Sequence, residues 1–184
     1  MRYMSRGFVV VVALLLLGVS VAPAQNAQTR KGFWIGFGFG YGSYGFSCNG
    51  CSGTGREGSI SGYLKMGGTV SPKILLGGET NGWTRSEGGG TITAANASFA
   101  TYFYPQPANG LFLRGGIGAS TISLDDGLGN TTNETGFGAT LGGGYDLRVG
   151  ANTSITPVLN WVWGNPADGF NHNFFQLAVG VTFH

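Results

Sequence analysis

The chain has 184 residues, of which ten are Lys or Arg and eight are Asp or Glu, so its formal net charge is +2. Charged residues make up only 10% of the chain, against about 25% in an average soluble domain. Glycine is abundant, with 36 residues, but aromatic residues reach 13%, which excludes a disordered glycine-rich linker. The sequence has no basic patch of the kind that would indicate a nucleic-acid-binding protein.

The N-terminal segment has the order of an export signal. Arg2 and Arg6 precede an apolar run over 8–21, and Ala22-Pro23-Ala24 provides small residues at the two positions that a signal peptidase recognises. We predict a signal peptide over 1–24 that is cleaved after Ala24, leaving a single domain over 25–184. An uncleaved N-terminal anchor is the alternative. Without the two signal arginines, eight basic residues face eight acidic ones, so the domain is neutral.

After the signal, alternation of residue types with a period of two predicts eight strands. In chain order the predicted strands are 33–46, 58–70, 74–84, 91–104, 111–120, 136–147, 154–163 and 173–184. The connections over 47–57 and 121–135 are long, and the connection over 71–73 is tight. An even number of strands joined by alternating short and long connections is typical of outer-membrane barrels, and it predicts that both termini face the periplasm.

The two faces of the predicted strands indicate which side meets lipid. In the first strand Phe37 and Phe39 alternate with glycines such as Gly38, and most other strands also pair an apolar face with one rich in Gly, Ser, Thr and Asn. No apolar run after residue 24 is long enough for a transmembrane helix, and backbone groups in lipid must all be paired, so the sheet must close. We therefore predict an all-β fold, a closed eight-stranded antiparallel up-and-down transmembrane β-barrel with its apolar face outside. A periplasmic lipocalin-like barrel is the alternative.

Aromatic residues near the predicted strand ends indicate the edges of the lipid layer. Aromatic rings are enriched where a membrane barrel passes from hydrocarbon to water. The residues that we assign to this lipid interface are Phe103, Tyr145, Trp161, Trp163 and Phe183.

Four charged residues fall on the polar face, which is the lumen side of the predicted barrel. They are Lys65, Glu79, Arg114 and Asp146. Counting outwards from the tight turn over 71–73 places Lys65 opposite Glu79 on the same face. Arg114 is expected to pair with either Glu79 or Asp146. Buried charges are costly unless paired, so we predict a structural network of interior ion pairs that leaves a plugged, poorly conducting lumen.

Cys48-Asn49-Gly50-Cys51 contains the only two cysteines of the chain. An exported chain favours oxidation, so we predict a disulfide between Cys48 and Cys51 in a loop, with free thiols or a metal site as alternatives. A redox site of the thioredoxin type would need a helix after the motif, and the glycine-rich run over 52–55 forbids one. No metal site and no cofactor is predicted.

The two histidines are the only bases of the kind that activates a hydrolytic nucleophile. His172 has no serine beside it in the sequence, and His184 is the last residue. A hydrolase needs a nucleophile within reach of its base, and neither histidine makes such a pair recognisable. We therefore predict no catalytic residues and no enzyme activity.

Three segments carry a resemblance to a known family. The glycine–aromatic strand over 33–41, the Gly115-Gly116-Ile117-Gly118 run and the last strand over 174–184, together with the export signal, resemble the OmpA/OmpX-like outer membrane protein β-barrel family. The resemblance covers essentially the whole domain. It implies contact with outer-membrane lipids and recognition of the C-terminal strand, from Phe175 to Phe183, by the barrel assembly machinery. In that family the last residue is usually aromatic, whereas His184 follows Phe183 here.

Three function classes follow from these expectations. The first is a small, non-enzymatic outer-membrane barrel, expected to be a monomer, with a structural or surface-interaction role. The second is a barrel that binds a small solute or apolar ligand, or forms a narrow channel. The third is a membrane-embedded lipid hydrolase, which the sequence disfavours. The expected location is the bacterial outer membrane, with both termini periplasmic.

Overall fold

A computed structural model describes residues 30–48, 50 and 55–184. The predicted signal over 1–24 and Cys51 lie outside the described residues. The strands are β1 (Phe33–Cys48), β2 (Glu57–Ser71), β3 (Ile74–Glu87), β4 (Gly90–Phe103), β5 (Leu111–Asp125), β6 (Thr131–Tyr145), β7 (Leu147–Arg148), β8 (Thr153–Ala167) and β9 (Phe170–Phe183). Among the residues described, no helix is long and apolar enough to cross a membrane.

The strands form one closed antiparallel barrel. Each strand from β1 to β6 pairs with the next, β8 pairs with β9, and β9 pairs with β1 to close the sheet. The two-residue strand β7 continues β6 beyond Asp146, and both strands pair with β8. The wall therefore has eight strands, which confirms the predicted fold. We call the end where β1 begins and β9 ends the terminal rim, and the opposite end the distal rim.

The strands at the distal rim are longer than the sequence predicted. β5 continues to Asp125 and β6 begins at Thr131, so most of the predicted long connection over 121–135 is a paired hairpin. Our strand limits were wrong there because they relied on the alternation of apolar residues. That alternation stops at the edge of the apolar zone, the band of the barrel whose outer face is apolar. Beyond that edge threonines keep the strands extended, and the Thr121 and Thr135 hydroxyls hydrogen-bond across the pair at 2.9 Å.

The connections do not alternate in length as predicted. Two of the distal connections, over 88–89 and 168–169, have two residues, whereas the connection over 104–110 at the terminal rim has seven. Gly88 and Gly89 adopt φ values of 61° and 89°, which allows the tight hairpin turn. Loop length therefore does not indicate which rim faces outwards.

The apolar face is outside and the glycine-rich face lines the lumen, as predicted. Phe39 is 69% exposed, for example, while the glycines beside it face inwards. Large lumen side chains lie over glycines on neighbouring strands. A Cβ atom added at Gly38 would lie 2.7 Å from the Tyr63 ring, and one added at Gly144 would lie 2.7 Å from the Phe112 ring. Eight strands enclose little space, so the glycines provide the room that these side chains occupy.

Apolar side chains fill the lumen in two layers. The layer toward the terminal rim contains Trp34, Tyr63, Leu75, Ala100, Tyr102, Tyr104, Phe112, Val158 and Ala178. The layer toward the distal rim contains Tyr44, Trp83, Ala94, Ile122, Val162 and Phe174. In the distal layer Tyr44 stacks on Trp83 with the ring centroids 4.6 Å apart. Polar and charged groups lie within and between these layers.

Candidate functional site

The structure places all four predicted interior charges inside the lumen. Lys65, Glu79, Arg114 and Asp146 are each at most 5% exposed. Lys65 lies directly opposite Glu79 in the pairing of β2 with β3, as counting from the tight turn predicted. Their orientation shows that the strand phases were assigned correctly.

Glu79 and Arg114 form the central ion pair, with Arg114 Nη1 2.6 Å from Glu79 Oε2. The Tyr102 hydroxyl donates to the same carboxylate oxygen. Asn81 links the two side chains, because it accepts from Arg114 Nη2 at 3.0 Å and donates to Glu79 Oε1 at 3.2 Å. Of the two partners that the sequence left open for Arg114, the structure selects Glu79 and not Asp146.

Lys65 does not form the ion pair with Glu79 that its position suggested. Its ammonium group is surrounded by rings, whose centroids lie 4.9 Å (Phe112), 5.3 Å (Tyr102), 5.9 Å (Tyr63) and 6.0 Å (Trp34) away. Arg114 and Tyr102 already occupy the Glu79 carboxylate, so the lysine is stabilised by cation–π attraction instead.

Asp146 is the centre of a second network, at the terminal rim. Its carboxylate accepts hydrogen bonds from the Tyr104 hydroxyl at 2.8 Å and from the Thr156 hydroxyl at 2.9 Å. Arg30 Nη2 lies 3.6 Å from the same group, and His184 Nε2 lies 3.3 Å from it. The segments just outside the first and last strands are thus joined to one buried carboxylate.

Arg30 closes the terminal mouth, and sequence reasoning missed it. Its guanidinium lies over the Tyr104 ring, 3.7 Å from the centroid. It also donates to the carbonyls of Pro107 at 3.0 Å and Asn109 at 3.1 Å, which belong to the connection between β4 and β5. Arg30 precedes the first strand, so the period-two pattern offered no signal that its side chain turns into the lumen.

A serine–histidine contact lies in the distal half of the lumen. Ser120 Oγ and His172 Nε2 are 2.8 Å apart and both residues are fully buried. Ser120 Oγ also lies 3.3 Å from the Ala95 carbonyl oxygen. Among the described residues His172 Nδ1 has no hydrogen-bond partner, so no third side chain orients the ring as in a catalytic triad. The contact links β5 to β9 across the lumen.

The cysteine prediction falls partly outside the described residues. Cys48 is the last residue of β1 and is disulfide-bonded. Cys51 is not described, so its pairing with Cys48 stays a prediction. Among the residues that the structure describes, no three His, Cys, Asp or Glu side chains are grouped as metal ligands.

The distal rim carries a hairpin that extends beyond its neighbour on one side. β5 and β6 pair as far as Asp125 and Thr131, whereas β6 pairs with β8 only over 137–144. Among the residues that the structure describes, none pairs with 131–135 on the β8 side, and we call this segment the open edge. From Thr131 to Thr135 the open edge extends about 13 Å, at roughly 3.3 Å per residue.

The distal rim is acidic. Its charged residues are Glu57, Glu87, Asp125, Asp126, Glu134 and Asp168, against Arg56 and Arg85, which gives a net charge of −4. At the hairpin tip, Asp126 accepts hydrogen bonds from the side chain and backbone of Asn130 and from the Leu128 amide. These bonds, the Asn130 side-chain bond above all, hold the pKa of Asp126 below its usual value. These hydrogen bonds therefore favour the ionised form of Asp126.

Comparison with known proteins decides the family. The family model of the "Outer membrane protein beta-barrel domain" matches residues 11–183. The chain belongs to this family. As an outer membrane protein β-barrel it sits in the lipid bilayer of a bacterial outer membrane. No curated protein sequence matches it.

Solved structures show the same architecture for this outer membrane β-barrel. The Ail protein of Yersinia pestis has 13% identity and a TM-score of 0.59, covering 84% of this chain and 100% of its own. Neisserial surface protein A has 16% identity and a TM-score of 0.57, covering 84% and 98%. The N-terminal barrel of Pseudomonas aeruginosa OprF has 12% identity and a TM-score of 0.52, covering 84% and 98%. At such identities the similarity shows the fold alone.

The five predicted interface aromatics occupy two different levels of this outer membrane β-barrel. Phe103, Tyr145 and Phe183 each end a strand at the terminal rim, and their assignment to a lipid interface stays a prediction. Trp161 and Trp163 face outwards too, but they lie six and four residues inside β8, because β8 continues to Ala167. Their expected position at a strand end was wrong.

Proposed function

We propose that this outer-membrane barrel is non-enzymatic and acts through contacts at its distal rim, with a lumen too full to conduct solutes. The observation that carries this proposal is the contrast between the closed interior and the hairpin of β5 and β6, which extends beyond β8 with an unpaired strand edge. A barrel that only stabilises the membrane has no need of such an edge, which is a liability unless something pairs with it.

The interior supports the absence of a wide channel. Two apolar layers cross the lumen, and the ion pair of Glu79 with Arg114 lies with the terminal layer. Arg30 and the 104–110 connection cover the terminal mouth. A narrow channel or a lumen site for an apolar ligand would need these side chains to move apart. The contact between Ser120 and His172 is fully buried in the lumen, where a lipid substrate cannot reach it, which argues against a lipid hydrolase.

The proposal includes an orientation. The signal over 1–24 is removed, both termini face the periplasm, and the distal rim faces the exterior. The barrel assembly machinery recognises the last strand from Phe175 to Phe183. The barrel is a monomer, because all strands are paired within the apolar zone and leave no edge there for a second copy.

Liposome swelling with the refolded full chain tests the closed lumen. Vesicles loaded with an impermeant polymer and diluted into isosmotic sugars or amino acids should swell no faster than protein-free vesicles. An open porin reconstituted in the same way provides the positive control. Swelling by small solutes above the protein-free rate would contradict the proposal and favour the narrow-channel alternative.

A further inference from the structure

We infer that a groove on the lipid-facing wall, along β3, holds one acyl chain of a membrane lipid. The groove runs from Gly78 to Thr84, between the outer side chains of β2 and those of β4. The inference goes beyond the proposed function, because it needs only that the barrel sits in a bilayer. It does not depend on which rim faces outwards or on whether the lumen conducts.

Two glycines on the floor of the groove are not required by the packing of the barrel. A Cβ atom added at Gly78 or Gly82 would have no neighbour within 4 Å, unlike one at Gly38 in the lumen. Neither glycine has a positive φ, and β3 pairs with β4 in continuous register. Glycine weakens the interior of a strand, and where no bulge or bend explains it, it often marks a place where a ligand approaches the backbone. The space over β3 is therefore available to a ligand.

Larger side chains give the groove a wall. Toward the distal rim it has a volume of about 570 Å³, with Ile60 and Leu64 of β2 on one side. It continues past Leu64 and Thr80 into a second hollow of about 430 Å³, beside Met66 and Ala97. An acyl chain in the groove contacts the floor and the wall, and each added atom contact contributes dispersion energy. A chain elsewhere on the barrel touches only the tips of the outer side chains.

The length of the groove matches one leaflet of the bilayer. From Gly78 to Thr84 the strand extends about 20 Å, at roughly 3.3 Å per residue. A strand tilted by about 40° covers about 15 Å of depth over that length, which is half of a hydrocarbon core of about 30 Å. β3 begins at Ile74 on the terminal rim and becomes polar over 85–87, so the groove occupies the half of the apolar zone toward the distal rim.

Hydroxyl groups at the distal end of the groove fit the ester of a lipid. Thr84 Oγ1 and Thr93 Oγ1 are 3.0 Å apart across the pair of β3 with β4. Two hydroxyls carry two protons and their mutual hydrogen bond uses one, so one proton is left to donate. The ester carbonyl of an acyl chain is an acceptor. Among the described residues no charged side chain lines this part of the groove, so it selects the chain and its ester and not the charge of the head group.

Photo-crosslinking from a lipid tests the inference on the unsubstituted chain. The full chain is refolded into phosphatidylcholine vesicles in which a small fraction of the lipid carries a diazirine near the methyl end of one acyl chain. Modification mapped by mass spectrometry should be about fivefold higher at Gly78 and Thr80 than at Leu113, which faces lipid outside the groove, because a held chain stays longer. A diazirine next to the ester should move the modification toward Thr84. Even modification of the lipid-facing wall would overturn the inference.

Two matched substitutions separate the groove from the rest of the wall. Gly82→Phe fills the groove, whereas Gly68→Phe adds the same ring at a lipid-facing position outside it, and a Cβ atom at either glycine has no neighbour within 4 Å. Gly82→Phe should lower the modification over 78–84 by about fivefold, and Gly68→Phe should leave it unchanged. Tryptophan fluorescence checks that both variants fold. Equal effects of the two rings would overturn the inference.

A second copy of the chain is the competing occupant of the groove. Thr80→Cys on the groove floor and Gly68→Cys outside it can be compared by oxidation in the same vesicles, with the unsubstituted chain as the control for its own cysteines. The two variants should give equally little disulfide-linked dimer, because a lipid chain covers Thr80. Dimer formed through Thr80→Cys alone would assign the groove to a second copy and overturn the inference.

Discussion

Two arginine–glutamate pairs in this barrel have the same closest distance in opposite surroundings. In both the closest nitrogen and oxygen are 2.6 Å apart, between Arg114 and Glu79 in the lumen and between Arg85 and Glu87 on the distal rim. The lumen side chains are 2% and 0% exposed, and the rim side chains are 29% and 74% exposed. The nitrogen–oxygen distance therefore does not predict how much each ion pair contributes to stability. Water can replace a lost partner on the rim but not in the lumen.

The largest effect that this comparison predicts is on global stability. Glu79→Gln should lower the free energy of unfolding by about 3–5 kcal/mol, because it leaves the buried charge of Arg114 without its counter-ion. Urea unfolding of the refolded barrel in lipid vesicles, followed by tryptophan fluorescence, measures it.

The rim supplies the matched control. Glu87→Gln removes the same charge from an exposed pair and should change stability by about 0–1 kcal/mol. Losses of similar size in the two variants would mean that water reaches the Glu79 site freely, and the comparison between lumen and rim would fail.

A smaller effect distinguishes glycines that face the lumen from those that face lipid. A Cβ atom at Gly38 would lie 2.7 Å from the Tyr63 ring and 2.8 Å from the Gly180 Cα atom, while one at Gly78 would have no neighbour within 4 Å. Gly38→Ala should therefore cost about 1–3 kcal/mol through overpacking, and Gly78→Ala should cost little. The same unfolding assay compares them. A neutral Gly38→Ala would show that the lumen packing is loose.

The smallest effect is local and belongs to the rim. The folded pKa of Asp126 lies below its unfolded value, so its carboxylate stabilises the hairpin tip above the unfolded pKa. This contribution is lost as the pH falls through the folded pKa. The protection factors of the Leu128 and Asn130 amides, which correct the exchange rates for their intrinsic pH dependence, should fall on acidification, while the global unfolding midpoint does not follow them. In Asp126→Asn the protection factors should lose this pH dependence, and a variant that kept it would assign the titration to another group.

The sequence predicted features that depend on neighbours in the chain or across a tight turn. Alternation in β1 predicted the strand and its lipid-facing side, and counting from the tight turn, with Val70 opposite Ile74, predicted Lys65 opposite Glu79. The starting pair was wrong, because Ser71 lies opposite Ile74, and an irregularity between Thr69 and Ser71 restores the predicted register at Lys65. Sequence reasoning failed where apolar alternation stops, since the paired threonines beyond residue 120 were taken for a loop. It also failed at Trp161, because the true end of β8 was not visible in the pattern.

Side-chain partners inside the lumen could not be read in this way. Arg114 reaches Glu79 from β5 to β3, and Ser120 reaches His172 from β5 to β9, in both cases between strands that are not paired. Such contacts depend on how the closed sheet curves and on which side chains fill the enclosed volume. The ring-lined position of Lys65 and the closure of the mouth by Arg30 follow from the same competition for space.

The sequence by itself determined the fold class, the inside-out arrangement and the buried charges, because a strand places alternate residues on opposite faces whatever surrounds it. Only the tertiary structure decided which charges pair, how the terminal mouth closes and which rim edge stays open. Closure of the barrel brings distant segments into one narrow lumen. The turn over 168–169 ends β8 short of the hairpin beside it.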